Sequence, residues 1–230
     1  MPRYLPAFAR QCESFTEIRT MTTTDKIGNC TLYHADCMEV MKQFKDNEFD
    51  LAIVDPPYGI DVTKMNMGGR QTVKPDKQKK WDAKIPDEEY FNELFRVSKN
   101  QIIWGGNYFN LPKSQYFVIW DKGETMYGRD FAECEFAWVR VGGTRIYKYS
   151  PVQPDRIHPT QKPVKLYEWL LTNYAKQGDK ILDTHFGSLS IGIACDNLGF
   201  DLTAIELDYD YYKAACERLI NHRKQLKFEF

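Results

Sequence analysis

The stretch Asp55-Pro56-Pro57-Tyr58-Gly59-Ile60 follows an apolar run from Phe49 to Val54. Two consecutive prolines cannot continue a strand or a helix, so an acid is left standing at the end of a buried strand. Three further acids hold comparable places. Asp183 ends the run "DKILD", Glu206 sits in "LTAIEL", and Asp36 follows the short run Thr31 to His34. One acid in such a place is explained by helix N-capping. Several along one edge of one sheet point to a site, because ligands of open α/β sheets bind outside the carboxyl ends of the strands.

"DTHFGSLS", residues 183–190, reads as a strand end, a glycine turn and a helix start. Small residues there let the backbone approach a ligand. The pattern is not G-x-G-x-x-G, so an ordinary dinucleotide site is not supported. Glu206 lies 23 residues beyond Asp183, an offset that suits the two hydroxyls of a ribose. These residues suggest a nucleoside cofactor held without a pyrophosphate cradle. S-adenosylmethionine meets that description, and its sulfonium and ammonium cations favour nearby carboxylates.

The order "DPPY", "HPTQKP", "DTHFGS", "AIELD" resembles that of the amino-methyltransferases acting on exocyclic amines of DNA. More narrowly it resembles the permuted, beta-group order of DNA adenine methyltransferases, and among them small enzymes carried by phages and prophages. The resemblance covers residues 29 to 220. It implies that Asp183, Phe186, Gly187 and Ser188 hold the methionine part of the cofactor. It implies that Glu206 binds the ribose hydroxyls, that Asp36 and Cys37 contact the adenine, and that His158, Thr160 and Lys162 close the methionine end, with Asp55 beside them. The glycine turn departs from the family's D-P-F-x-G-S-G. Thr184 replaces the proline, His185 the phenylalanine and Leu189 the last glycine. Leu189 either crowds the cofactor or begins the helix one residue early, and His185 is read as packed rather than catalytic.

The catalytic group expected from the resemblance is Asp55, Pro56, Pro57 and Tyr58. An exocyclic amine is a poor nucleophile while its lone pair is delocalised into the ring. Acceptors at Asp55 and the Pro56 carbonyl would favour the pyramidal form, and the prolines would hold those acceptors rigid. Tyr58 offers a face for an extruded base. Family members often carry serine in place of Asp55 when the target is cytosine N4, so Asp55 implies adenine N6. Two other readings remain open: a cytosine-N4 or RNA methyltransferase, and a cofactor-impaired DNA-binding module motivated by Leu189 and His185.

The net charge of the chain is −1, so DNA contact requires a local basic patch. Residues 59–80 carry Lys64, Arg70, Lys74, Lys77, Lys79 and Lys80 against Asp61 and Asp76, a net +4 directly after the acid–proline turn. This segment reads as a phosphate-gripping loop. Residues 140–157, with Arg145 and Lys148 among tyrosines, form a second, short candidate for target recognition.

These residues need a scaffold. Strands alternating with helices predict a doubly wound, mostly parallel seven-stranded α/β sheet of the S-adenosylmethionine-dependent methyltransferase type. The adjacent runs "YFVIWD" and "AECEFAWVRV" predict an antiparallel excursion at one edge. Residues 140–157 read as irregular. Residues 1–24 read as an appendage and 25–230 as the catalytic domain, with a basic loop over 59–86. The chain of 230 residues, 43% hydrophobic and 27% charged, has apolar side chain enough for one sizeable core. Six scattered cysteines without C-x-x-C, and four histidines without ligand spacing, predict no metal and a cytoplasmic setting. No apolar run has the length of a membrane span. DNA is the expected partner, and family members are often dimers, so a homodimer is also expected.

Overall fold

The structure is a computed structural model that describes residues 23–60, 82, 84–129 and 132–225. The described chain forms nine strands in one sheet: β1 (Thr23–Ile27), β2 (Cys30–His34), β3 (Phe49–Val54), β4 (Ser98–Trp104), β5 (Tyr116–Asp121), β6 (Cys134–Val139), β7 (Arg145–Lys148), β8 (Lys180–Asp183) and β9 (Asp201–Glu206). Five α-helices accompany them: α1 (Cys37–Met41), α2 (Glu88–Val97), α3 (Val164–Tyr174), α4 (Ser190–Leu198) and α5 (Tyr209–Gln225).

The strand order is β1-β2-β9-β8-β3-β4-β6-β5-β7. The five strands from β2 to β4 run parallel, and β6 turns antiparallel against β4. The expected edge excursion is therefore present as β5 and β6. Two strands exceed the seven expected. β1 adds an antiparallel edge beside β2, starting two residues inside the segment read as an appendage. β7 pairs parallel with β5 inside the segment read as irregular. Four residues of mixed polarity, "RIYK", show no run or alternation strong enough to mark a strand, so pairing with β5 decides it.

The central strands are buried on both faces. Along β3, Leu51 and Ile53 enter one core, with Leu166 and Leu170 of α3, Ala194 of α4 and Leu219 of α5. Ala52 and Val54 enter the other, with Met41 of α1 and Tyr90, Phe91, Leu94 and Val97 of α2. Each fully buried aliphatic side chain contributes about 1.5–3 kcal/mol. The spacing of the four α2 residues puts them on one helix face. Asp87 caps that helix, its carboxylate accepting the Tyr90 N–H at 3.1 Å. After β3 the chain crosses to the α2 face, and after β8 to the α4 face, on the opposite side. The crevice between the carboxyl ends of β3 and β8 is thus the switch point at which such sheets bind ligands.

Candidate active site

One cavity of about 1070 Å³ opens at that edge. Asp55, Pro56, Pro57 and Tyr58 line it, as do Asp36, Cys37, His158, Thr160, Lys162, Phe186, Gly187, Ser188 and Glu206. The structure therefore brings the acid–proline turn and all but one of the residues expected around a cofactor to a single cavity. The exception is Asp183. Its carboxyl is 2% exposed and stands off the cavity wall, where Oδ1 accepts the His185 N–H at 3.0 Å. It braces the turn from beneath. Burial, with Asp55 and Glu206 adding to it, pushes this carboxyl up to about 8.

The glycine turn is held from several sides. Gly187 has φ +48, and its N–H donates to Glu206 Oε2 at 2.9 Å. Glu206 Oε1 accepts the Asp208 N–H at 2.8 Å, and burial raises the carboxyl to about 7. Arg218 of α5 donates to the Ser188 carbonyl at 2.9 Å and reaches Asp155 at 3.0 Å. His158 rests its ring against Gly187, and Thr160 N–H donates to His158 Nδ1 at 3.3 Å. Asp36 lines the cavity but also caps α1, accepting the Met38 N–H at 2.8 Å. Burial, with Asp36 adding to it, pushes the Cys37 thiol up to about 12, so it presents a neutral, apolar wall.

The departures from the family turn explain one another. Thr184 Oγ1 lies 2.9 Å from His185 Nδ1 and 2.6 Å from the Tyr90 hydroxyl. A proline could supply neither contact. Burial takes the imidazole down to about 4, which favours the neutral ring, and His185 is half-buried and lines the cavity. Leu189 adopts φ +56, the left-handed backbone that glycine would adopt there. Its side chain is fully buried in the core, against Gly192, and not on the cavity wall. It does not crowd the cavity, and α4 begins one residue after it.

Around Asp55 the arrangement is tighter than the sequence suggests. Tyr58 Oη donates to Asp55 Oδ1 at 2.5 Å, and Lys162 Nζ donates to Oδ2 at 2.6 Å. Lys162 was expected at the cofactor's methionine end. Its ammonium instead lies between Asp55 and Glu135, 3.0 Å from Glu135 Oε2. The Tyr58 ring, expected to be open for a base, is stacked on Tyr108 with centroids 5.0 Å apart and planes 12° from parallel. That face is taken in this conformation, and the exposed ring is Tyr108.

Charged cavity residues were missed at the level of sequence. Asp82 is buried, and its Oδ1 accepts the N–H groups of Tyr58 at 2.7 Å and Gly59 at 3.2 Å, fixing the turn after the prolines. Glu135 and Lys122 are two others. Tyr108 lines the cavity as well, in the run "WGGNYF", with Gly105 and Asn107. Asp82 and Glu135 carried no signal, because isolated acids read as solvated surface.

Of the basic residues expected to grip DNA, Lys64, Arg70, Lys74, Lys77, Lys79 and Lys80 lie outside the described residues. Arg145 and Lys148 stand on the exposed edge strand β7, away from the cavity wall. Lys148 is ion-paired with Glu124 at 2.7 Å. Among the described residues no group of His, Cys, Asp or Glu is arranged to hold a metal ion. No helix among them is long and apolar enough to cross a membrane.

The fold is one shared with solved DNA methyltransferase structures. A crystal structure of M1.HpyAVI in complex with SAM superposes with a TM-score of 0.56 at 22% identity, covering 82% of this chain and 99% of that one. The PvuII DNA methyltransferase (cytosine-N4-specific) gives 0.55 at 11% identity, covering 87% and 93%. Residues 112–217 match the family model N6_N4_Mtase, described as DNA methylase. The Type II methyltransferase M2.LlaDCHI of Lactococcus lactis subsp. cremoris is 24% identical over 242 residues, covering 83% of this chain and 89% of that protein.

Proposed function

We propose that this protein moves a methyl group from S-adenosylmethionine to the exocyclic N6 of an adenine turned out of DNA. The observation that carries the reading is that Asp55, with Tyr58 bonded to it, and the turn Phe186–Ser188 open onto the same cavity. A methyl donor and an amine acceptor can therefore meet without a covalent intermediate on the protein.

The residues fit the cofactor. Glu206 is a carboxyl on the cavity wall, Gly187 is in the left-handed conformation that brings backbone close, and Cys37 supplies an apolar wall. Glu206 would hold the ribose hydroxyls, Asp36 and Cys37 the adenine, and Phe186, Gly187, Ser188, His158 and Thr160 the methionine end. Asp183 would act from beneath, through the turn. When bound, S-adenosylmethionine supplies an electrophilic methyl on a sulfonium cation.

The remaining steps belong to the chain. Asp55 and the Pro56 carbonyl accept the two N–H groups of the target amine and favour its pyramidal form. Pro57 keeps the backbone from rotating away. Asp82 holds the turn in place through Tyr58 and Gly59. Asp55 accepts the proton released as the N–C bond forms and passes it to water. Extrusion of the base requires Tyr108 to leave the Tyr58 face, or the base to stack on Tyr108 in its place. The catalytic domain is assigned to residues 25–230, with the loop 59–86 gripping phosphates and 140–157 contributing to target recognition.

Asp at the first position of the acid–proline turn favours adenine over cytosine, by resemblance. Incubation with unmethylated DNA and isotope-labelled cofactor, followed by mass spectrometry of the nucleosides, tests the reading. N6-methyladenine is expected. N4-methylcytosine would correct the base, labelled RNA alone would correct the substrate, and no transfer would overturn the reading.

A further inference from the structure

The carboxylate of Asp55 is the end of a partly buried chain of alternating charge. Lys162 Nζ lies 2.6 Å from Asp55 and 3.0 Å from Glu135, and Lys122 Nζ lies 2.9 Å from the other Glu135 oxygen. Lys162 is 4% exposed. Its ammonium sits 5.2 Å from the centroid of the Trp104 ring, and that of Lys122 sits 5.5 Å from that of Trp120. Stability does not explain the arrangement. Buried ion pairs give little or nothing over apolar residues of the same volume, because desolvation offsets their attraction. All four charged residues line the cavity in which the proposed chemistry takes place, with Asp55 at the amine.

The chemistry sets a constraint there. The target amine must lie within hydrogen-bond distance of Asp55, about 3 Å, and the methyl group within about 3–3.5 Å of the amine. The methyl donor's cation must therefore come within two contacts of Asp55, and so close to Lys162. An unbalanced ammonium at that place would repel the donor and the positive charge that develops on the amine.

We propose that Glu135, backed by Lys122, is a positioning residue that balances the charge of Lys162, so that Lys162 can fix the Asp55 carboxylate without repelling a cationic methyl donor. The inference rests on the methyl-transfer reading above. Burial works against the Glu135 anion, but Lys162 and Lys122 outweigh it and hold the carboxyl down at about 2, so the balance persists across the working pH range. Lys162 is also held charged: burial disfavours its ammonium, and Asp55 and Glu135 more than compensate.

The test compares S-adenosylmethionine with S-adenosylhomocysteine, which has the same groups without the sulfonium charge. Calorimetry gives the ratio of their affinities for the wild type and for Glu135→Gln, Lys122→Met and Glu135→Gln/Lys122→Met. At about 8 Å and an effective dielectric of about 20, one unbalanced charge changes affinity by roughly tenfold or more. Glu135→Gln is expected to weaken S-adenosylmethionine by about that factor relative to S-adenosylhomocysteine. Lys122→Met is expected to shift the ratio the other way, and the double variant to return it near the wild-type value. Equal losses for both ligands, or an unchanged ratio in every variant that folds, would overturn the inference while leaving methyl transfer standing. A wild type that binds neither ligand would overturn both.

Discussion

Gly105 tests whether the pose of Tyr58 matters. It follows β4 with φ +67, and a Cβ built on it would stand 2.2 Å from Tyr58 Cε1, 2.6 Å from Cδ1 and 2.7 Å from Cζ. Ordinary carbon–carbon contact is about 3.5–4 Å, so the ring has to move by about 1 Å or more. Left-handed backbone costs a non-glycine residue about 1–2 kcal/mol, and overpacking adds about 1–3 kcal/mol. Gly105→Ala should therefore cost about 2–5 kcal/mol. Gly128 is the control, because it has φ +70 and nothing within 4 Å of its would-be Cβ. Gly128→Ala should meet the backbone cost alone. The displaced ring cannot keep the 2.5 Å bond from Tyr58 Oη to Asp55, so methyl transfer should fall at least tenfold in Gly105→Ala and stay near wild type in Gly128→Ala. Chemical denaturation and single-turnover transfer on unmethylated DNA measure the two quantities. Equal stabilities and equal rates in the two variants would refute the reasoning.

Asp55→Ala should lower transfer by about 10³-fold or more while the protein still unfolds cooperatively, because Lys162 keeps Glu135 as a partner; turnover at the wild-type rate would remove Asp55 from the mechanism. Free carboxyls lose their protons near pH 4, whereas Glu206 and Asp183 keep theirs in the folded protein until about 7 and 8. The cofactor-free fold should thus lose stability as pH rises from about 4 to 8, seen as a falling denaturation midpoint. Binding of the cationic cofactor favours the two anions, so it should release protons and tighten through the same window, which calorimetry in buffers of different ionisation enthalpy detects. Leu189→Ala should destabilise by about 2–4 kcal/mol through the cavity it leaves, with cofactor affinity unchanged; a large loss of affinity would mean that its side chain does shape the site.

Much of the scaffold was legible locally. The apolar run Phe49–Val54 could only be a strand buried on both faces, and the structure places β3 over those residues. Asp87, directly after Pro86, caps α2, and Asp208, directly before α5, accepts the Tyr211 N–H at 3.1 Å; both are local N-cap signals. The four acids at strand ends could be read because strand ends and turn residues are local signals. β7 could not be read, because an edge strand of four mixed residues is made by its neighbour.

The sequence by itself determined the parallel sheet, the acid–proline turn, the glycine turn and the acid at the end of β9, since each rests on a short run of residues and its spacing. Only the tertiary structure decided what each acid does. It set Asp183 beneath the turn rather than on the wall, and put Tyr108 on the face of Tyr58. It drew Lys162, 107 positions from Asp55, onto the same carboxylate with Glu135 and Lys122 behind it. Contacts of that range depend on which strands lie side by side, and no local pattern encodes them.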